Sequence, residues 1–170
     1  MNYNKLINNT NELNCIENLN IEVINIFEHT YQDKTFLRLK DGRIASWCED
    51  KTIRIYNPYN DYNCDQVIQR HSEDIMSISE LVDGTIVSCS DDKSIMIGDY
   101  TIKNAHRDLI LKVITLPNNR IASCSWDKTI KIWKSNKPYS STPIKVLIGH
   151  SDFVSSLLYI KEKDIMSIWW

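Results

Sequence analysis

All four histidines of the 170-residue chain stand in one register. His29, His71, His106 and His150 each precede a serine by 17 residues: Ser46, Ser88, Ser123 and Ser167. The first three also precede an aspartate by 21 residues, at Asp50, Asp92 and Asp127, and a fourth would fall one residue past Trp170. Recurrence at a fixed spacing means one supersecondary unit used several times, which constrains fold and function before any single residue is weighed.

The clearest copy runs from His106 to Trp133. An apolar run from Leu109 to Leu116 is long enough for one strand. Pro117-Asn118-Asn119 follows as a tight turn, with asparagines that tolerate the positive φ of a two-residue hairpin. Arg120–Ser125 reads as a second strand, and Trp126-Asp127-Lys128 as a second turn. Thr129–Trp133 alternates polar and apolar residues with period two, as a half-buried strand does. The other copies match part by part: Asp41-Gly42 and Asp83-Gly84 in the first turn, Ile44–Ser46 and Ile86–Ser88 in the second strand, and Asp50–Tyr56 and Asp92–Ile97 in the second turn and third strand. A further strand is predicted before each histidine, at Ile21–Phe27, Gln66–Gln69, Tyr100–Ile102 and Pro143–Ile148. The unit is therefore a four-stranded antiparallel meander. The stretch from one aspartate to the next histidine is shortest in the second unit and leaves little room there for an outer strand. Residues 1–20 stand apart, with eight asparagines. They are either a short helix over 11–19 capped by Thr10 or a disordered lead-in.

With 20 basic and 22 acidic residues, charge offers no case for nucleic acid or an acidic membrane as partner. No apolar run approaches the roughly 18 residues that span a bilayer, and MNYNKLINN lacks the build of a signal peptide. A cytoplasmic location is expected. Cys48, Cys89 and Cys124 recur inside the repeated strand, which points to small buried thiols and not to disulfides or zinc. Cys15 and Cys64 lie outside that pattern.

Ile121-Ala122-Ser123-Cys124-Ser125-Trp126-Asp127-Lys128-Thr129-Ile130-Lys131-Ile132-Trp133 resembles the signature of the WD-repeat β-propellers, and Gly149-His150 resembles that family's glycine–histidine pair. The resemblance covers about residues 21–170, in approximate repeats 21–57, 64–98, 100–134 and 143–170. It implies an all-β fold, a propeller of four-stranded antiparallel blades, partial or small, with about three and a half to four blades. In such proteins each repeat supplies the outer strand of one blade and three inner strands of the next. The family's structural tetrad of histidine, serine or threonine, aspartate and tryptophan maps in full onto His106, Ser123, Asp127 and Trp133. The first unit has His29, Ser46 and Asp50 with Tyr56 in the tryptophan place. The second has His71, Ser88 and Asp92, with Gly98 where the ring should be, and is expected to be the least well tied. The fourth has His150 and Ser167 only.

A serine, a histidine and an aspartate at fixed spacing invite a triad reading, with Ser123, His106 and Asp127 as a hydrolase. Repetition of the set in several units, with each serine inside an apolar strand, argues for a buried hydrogen-bond network instead. Histidines of different blades should not converge on a metal, and four glycines leave no phosphate loop, so no cofactor is expected. Lys51, Lys93 and Lys128 read as solvated turn residues.

The resemblance implies a non-catalytic scaffold that binds proteins or peptides through rim loops, with a ubiquitin-ligase substrate receptor as a narrower alternative and rim-bound RNA as a third. Candidate rim residues are those before each turn aspartate, Glu49, Asp91, Trp126 and, by register, Trp170, and those after each histidine, Gln32, Glu73, Asp74, Arg107, Asp108, Asp152 and Phe153. Trp126 is the leading candidate, as an aromatic in an exposed turn. Propellers typically close with four to eight blades, so the unfinished fourth unit allows three outcomes. These are a truncated or frameshifted gene, two copies sharing one ring, or a compact four-bladed ring, the strand near Ile21–Phe27 completing the fourth blade in the last two. An open ring exposes strand edges and predicts self-association.

Overall fold

The structure is a computed structural model that describes residues 35–160 and the backbone of 165–169. The Asn-rich segment 1–20, the strand expected at Ile21–Phe27, and Cys15, His29, Gln32 and Trp170 lie outside the described residues. Fourteen strands are described, and they form three four-stranded antiparallel sheets and one strand pair. The first sheet joins β1 (Thr35–Arg38), β2 (Ile44–Trp47), β3 (Ile53–Asn57) and β4 (Asn63–Ile68) in chain order. The second joins β5 (Ile75–Glu80), β6 (Ile86–Ser90), β7 (Ile95–Ile97) and β8 (Tyr100–Ile102). The third joins β9 (Ile110–Leu116), β10 (Arg120–Ser125), β11 (Ile130–Lys134) and β12 (Lys145–Leu147), and β13 (Ser156–Ile160) pairs with β14 (Ile165–Trp169).

Each of the three described outer strands pairs with the third strand before it and not with the strand after its histidine: β4 with β3, β8 with β7, β12 with β11. Boundaries move where local chemistry demands it. Asp61 and Tyr62 take positive φ of 47° and 55° and close a turn, so β4 begins at Asn63, before the expected start at Gln66. Asn118 and Asn119 take φ of 59° and 53°, the conformation expected for that turn. The second unit does find room for its outer strand. Gly98, at φ +53°, reverses the chain within Gly98-Asp99 and lets Tyr100–Ile102 pair with Ile95–Ile97. Left-handed backbone is open to glycine at no steric cost, so this reversal depends on the residue type at 98.

Sheets stack face to face, with β5 against β9 and β9 against β13. Three apolar clusters fill the spaces between them. One centres on Ile53, Ile55 and Ile78, another on Ile95, Ile97, Ile110 and Trp133, and a third on Ala122, Ile130, Val154 and Leu157. The alternation that placed one face of each strand inward is thus resolved into packing between successive blades.

Candidate functional site: a repeated buried network and an aromatic rim

In the third sheet His106 stands behind the β10–β11 turn and is 2 % exposed. Its Nδ1 lies 2.9 Å from Asp127 Oδ2 and its Nε2 2.8 Å from Ser123 Oγ. Trp133 Nε1–H donates to the same Ser123 oxygen at 2.9 Å. Asp127 is the acceptor that shapes the turn. Its Oδ1 takes the Thr129 N–H at 3.0 Å and hydroxyl at 2.6 Å, and its Oδ2 also takes the Arg107 N–H at 3.0 Å. With Asp127 an obligate acceptor, the network assigns the proton to His106 Nδ1, so Ser123 donates to Nε2 and accepts from the indole.

The electrostatics follow from burial. Burial pushes the His106 pKa down to about 4 against the upward pull of Asp127, so the ring is neutral at pH 7. For Asp127 burial raises the pKa, but hydrogen bonds from Thr129 and the Arg107 backbone, with the charge and hydrogen bond of His106, outweigh it and hold the carboxyl at about 2. Burial likewise pushes the Cys124 thiol up to about 12 and the Cys89 thiol well above its usual range, so neither is a nucleophile.

The second sheet repeats this geometry. His71 Nδ1 is 2.9 Å from Asp92 Oδ2 and Nε2 is 2.8 Å from Ser88 Oγ. Ser94 and the Ser72 N–H serve Asp92 as Thr129 and the Arg107 N–H serve Asp127. The second blade thus keeps the His–Ser–Asp bonds and lacks only the indole bond that Trp133 adds in the third. In the first sheet Ser46 and Tyr56 are buried and Asp50 Oδ1 takes the Thr52 N–H at 3.0 Å, while the matching His29 lies outside the described residues. His150 is half-buried, and Ser167 pairs with Leu158 across β13–β14.

The triad connectivity is real, but Ser123 is fully buried and its oxygen is covered by the Trp133 indole. Among the described residues no cluster of three or more histidine, cysteine or acidic side chains could hold a metal, and no helix is long and apolar enough to cross a membrane.

The repeated lysines carry a role that the sequence reading missed. Each takes a positive φ (65°, 66° and 67°), and each ammonium reaches the loop that follows the next histidine. Lys51 Nζ donates to Ser72 O at 2.7 Å, Lys93 Nζ to Arg107 O at 3.2 Å, and Lys128 Nζ to Ser151 O at 2.7 Å. They are ties between successive blades, not merely solvated turns. Their constant place before a threonine or serine was the available signal, since it fixes both the turn and the direction of the side chain.

The rim residues gather at the same end. Trp126 and Phe153 stack with ring centroids 5.4 Å apart and planes inclined by 26°, and they remain 47 % and 37 % exposed. Val154 N–H to Ser125 O at 3.2 Å and Lys128 Nζ to Ser151 O hold the two loops together, and Asp152 accepts the Phe153 N–H within its own loop. Glu73 pairs with Lys51 at 3.0 Å, Asp74 O accepts the Asp91 N–H, and Asp108 accepts the Leu109 N–H. Burial, followed by the charges of Asp74 and Glu73, raises the Asp91 pKa. Glu49 and Arg107 are exposed, and the Arg107 carbonyl accepts from Lys93 Nζ.

Four-stranded sheets in radial sequence, tied by a buried His–Ser–Asp network, define a class of protein, the propeller built of repeated blades. Residues 62–99 and 100–134 match the WD domain, G-beta repeat (WD40), and these two stretches are WD40 repeats. The fold is similar to the crystal structure of RRP9 WD40 repeats, with a TM-score of 0.70 and 18 % identity, over 85 % of this chain and 53 % of that one. The chain thus spans about half the length of that structure, and at this identity the likeness is one of fold: WD40 propeller blades. No curated protein matches the chain in sequence.

Proposed function

We propose that the chain is a non-catalytic scaffold that binds proteins or peptides through the rim carrying Trp126 and Phe153. The observation that carries this reading is the stacked, solvent-facing aromatic pair, on two loops of adjacent sheets joined by the Val154–Ser125 backbone bond and the Lys128 tie. Exposed aromatics on rigid loops are the residue type that dominates binding hot spots. The carboxylates of Glu73, Asp74, Asp91 and Asp108 near the same end favour a partner with basic residues beside an apolar anchor. A net charge of −2 supports neither nucleic acid nor an anionic membrane as partner. The four described free cysteines, three of them buried, support a reducing compartment such as the cytosol.

Partner capture followed by titration with Trp126→Ala and Phe153→Ala tests the reading. Either variant should weaken binding about tenfold or more at unchanged melting temperature. Equal affinity of wild type and both variants would refute it. A serine-directed probe should leave Ser123 unlabelled, because no solvent path reaches its oxygen.

A further inference from the structure

The tryptophan missing from the second blade leaves a space. Trp133 on β11 sits opposite Ile121 on β10, and Gly98 sits opposite Ile86, its N–H bonded to Ile86 O at 2.9 Å. Where the indole of Trp133 fills the gap between the second and third sheets, Gly98 leaves a cleft of about 580 Å³ between the first and second. One wall is formed by Ser88, Met96 and Gly98 and the other by Ile55, Gln66 and Ile68. Arg70 closes one end, with Nη1 on Gly98 O and on Asp99 Oδ1, both at 3.0 Å. Such a volume lies within the roughly 300–1,000 Å³ of small-ligand pockets.

Ser88 adds a specific polar feature. Its hydroxyl donates to His71 Nε2, and among the described residues Ser88 Oγ bonds only to His71. Ser123 differs by accepting one further bond, from an indole N–H. The cleft therefore combines apolar side chains (Ile55, Ile68 and Met96) with a polar border of Arg43, Gln66, Arg70 and Asp99 and one buried acceptor, which the third blade satisfies with a tryptophan of its own. We infer that this cleft binds a planar N–H heteroaromatic ring of the indole class, its faces between Ile55 and Met96 and its N–H donating to Ser88 Oγ.

The test titrates the full chain with indole, 1-methylindole and N-acetyltryptophanamide, following methyl resonances of Met96, Ile55 and Ile68. Indole should give saturable shifts at these methyls. Loss of the N–H in 1-methylindole should weaken binding about five- to tenfold, the size of one net hydrogen bond. Ser88→Ala should erase the difference between the two ligands. Gln66→Trp, at an exposed outer-strand position facing the cleft, should abolish the shifts at unchanged melting temperature and does not depend on the tolerance of the buried serine. N-acetyltryptophanamide binding as tightly as indole would make a tryptophan side chain the source of the ring, and much weaker binding would make it a free small molecule. Absent saturation, shifts confined to other sites, or equal affinity for indole and 1-methylindole would overturn the inference.

Discussion

Replacing Trp133 by phenylalanine isolates what the indole contributes to a blade. Trp133 is 1 % exposed and makes two separable contributions, a packed ring and a donor to Ser123 at 2.9 Å. Truncation removes roughly two methylene equivalents of buried surface, about 1.6 kcal/mol. Loss of the net hydrogen bond costs about 1 kcal/mol, and the residual void brings the total to about 3 kcal/mol. For a chain of this size that lowers the melting temperature by about 6–12 °C. Ser123→Ala should cost a similar amount, about 3 kcal/mol, because it strands both His106 Nε2 and the indole N–H in a buried site. The network makes a sharper claim about the double variant. With both groups gone only the histidine is left unpaired, so the two costs should fall short of additivity by about 1 kcal/mol. Urea denaturation of the four proteins, followed by far-ultraviolet circular dichroism, measures this coupling. Additivity within about 0.5 kcal/mol would show that ring and serine act independently, and the network account would fail.

Acid should destabilise the protein in two steps. The folded pKa of His106, lowered to about 4, lies below its unfolded value near 6.5, so its contribution is complete above pH 6.5 and is lost as pH falls toward 4. That is roughly 3 kcal/mol, and His106→Asn should flatten this limb of the stability profile. Asp127, lowered to about 2, adds a second loss between about pH 3.8 and 2. Asp91 has the opposite sign: its raised pKa means that stability falls as pH climbs from its unfolded value through its folded one, so Asp91→Asn should raise the melting temperature at pH 7 and leave it unchanged at low pH. Ile148 (81 % exposed), Leu158 (55 %) and Val146 (45 %) crowd the last strands with apolar surface, so light scattering should find self-association, and a monodisperse species of 19.9 kDa would contradict it.

The histidine register and the period-two strands made the blade legible from the sequence. Arg120–Ser125 and Tyr100–Ile102 coincide with β10 and β8, and the asparagine turn at 118–119 has the expected φ. These features are local, because turn chemistry and alternation are written within a few residues. The inter-blade features were not legible. The lysine ties depend on how far one blade is rotated from the next, and the stacking of Trp126 on Phe153 joins residues of two different units. Neither relation has a periodic trace along the chain.

Gly98 links the two levels. In the sequence it is a defect, a ring missing from the second unit. In the fold it solves a constraint, since the short stretch between Asp92 and His106 must still supply an outer strand. A residue that reverses the chain at φ +53° makes that possible, and a tryptophan would resist that backbone. A Cβ at this position would also meet Thr85 Cγ2 at 3.2 Å. The buried His71–Ser88–Asp92 bonds form without an indole, with Asp92 also satisfied by the Ser72 and Ser94 donors of its own loop and turn. These polar bonds therefore stand in the second blade without the tryptophan ring, and glycine at 98 permits the fourth strand while leaving a cleft beside that blade.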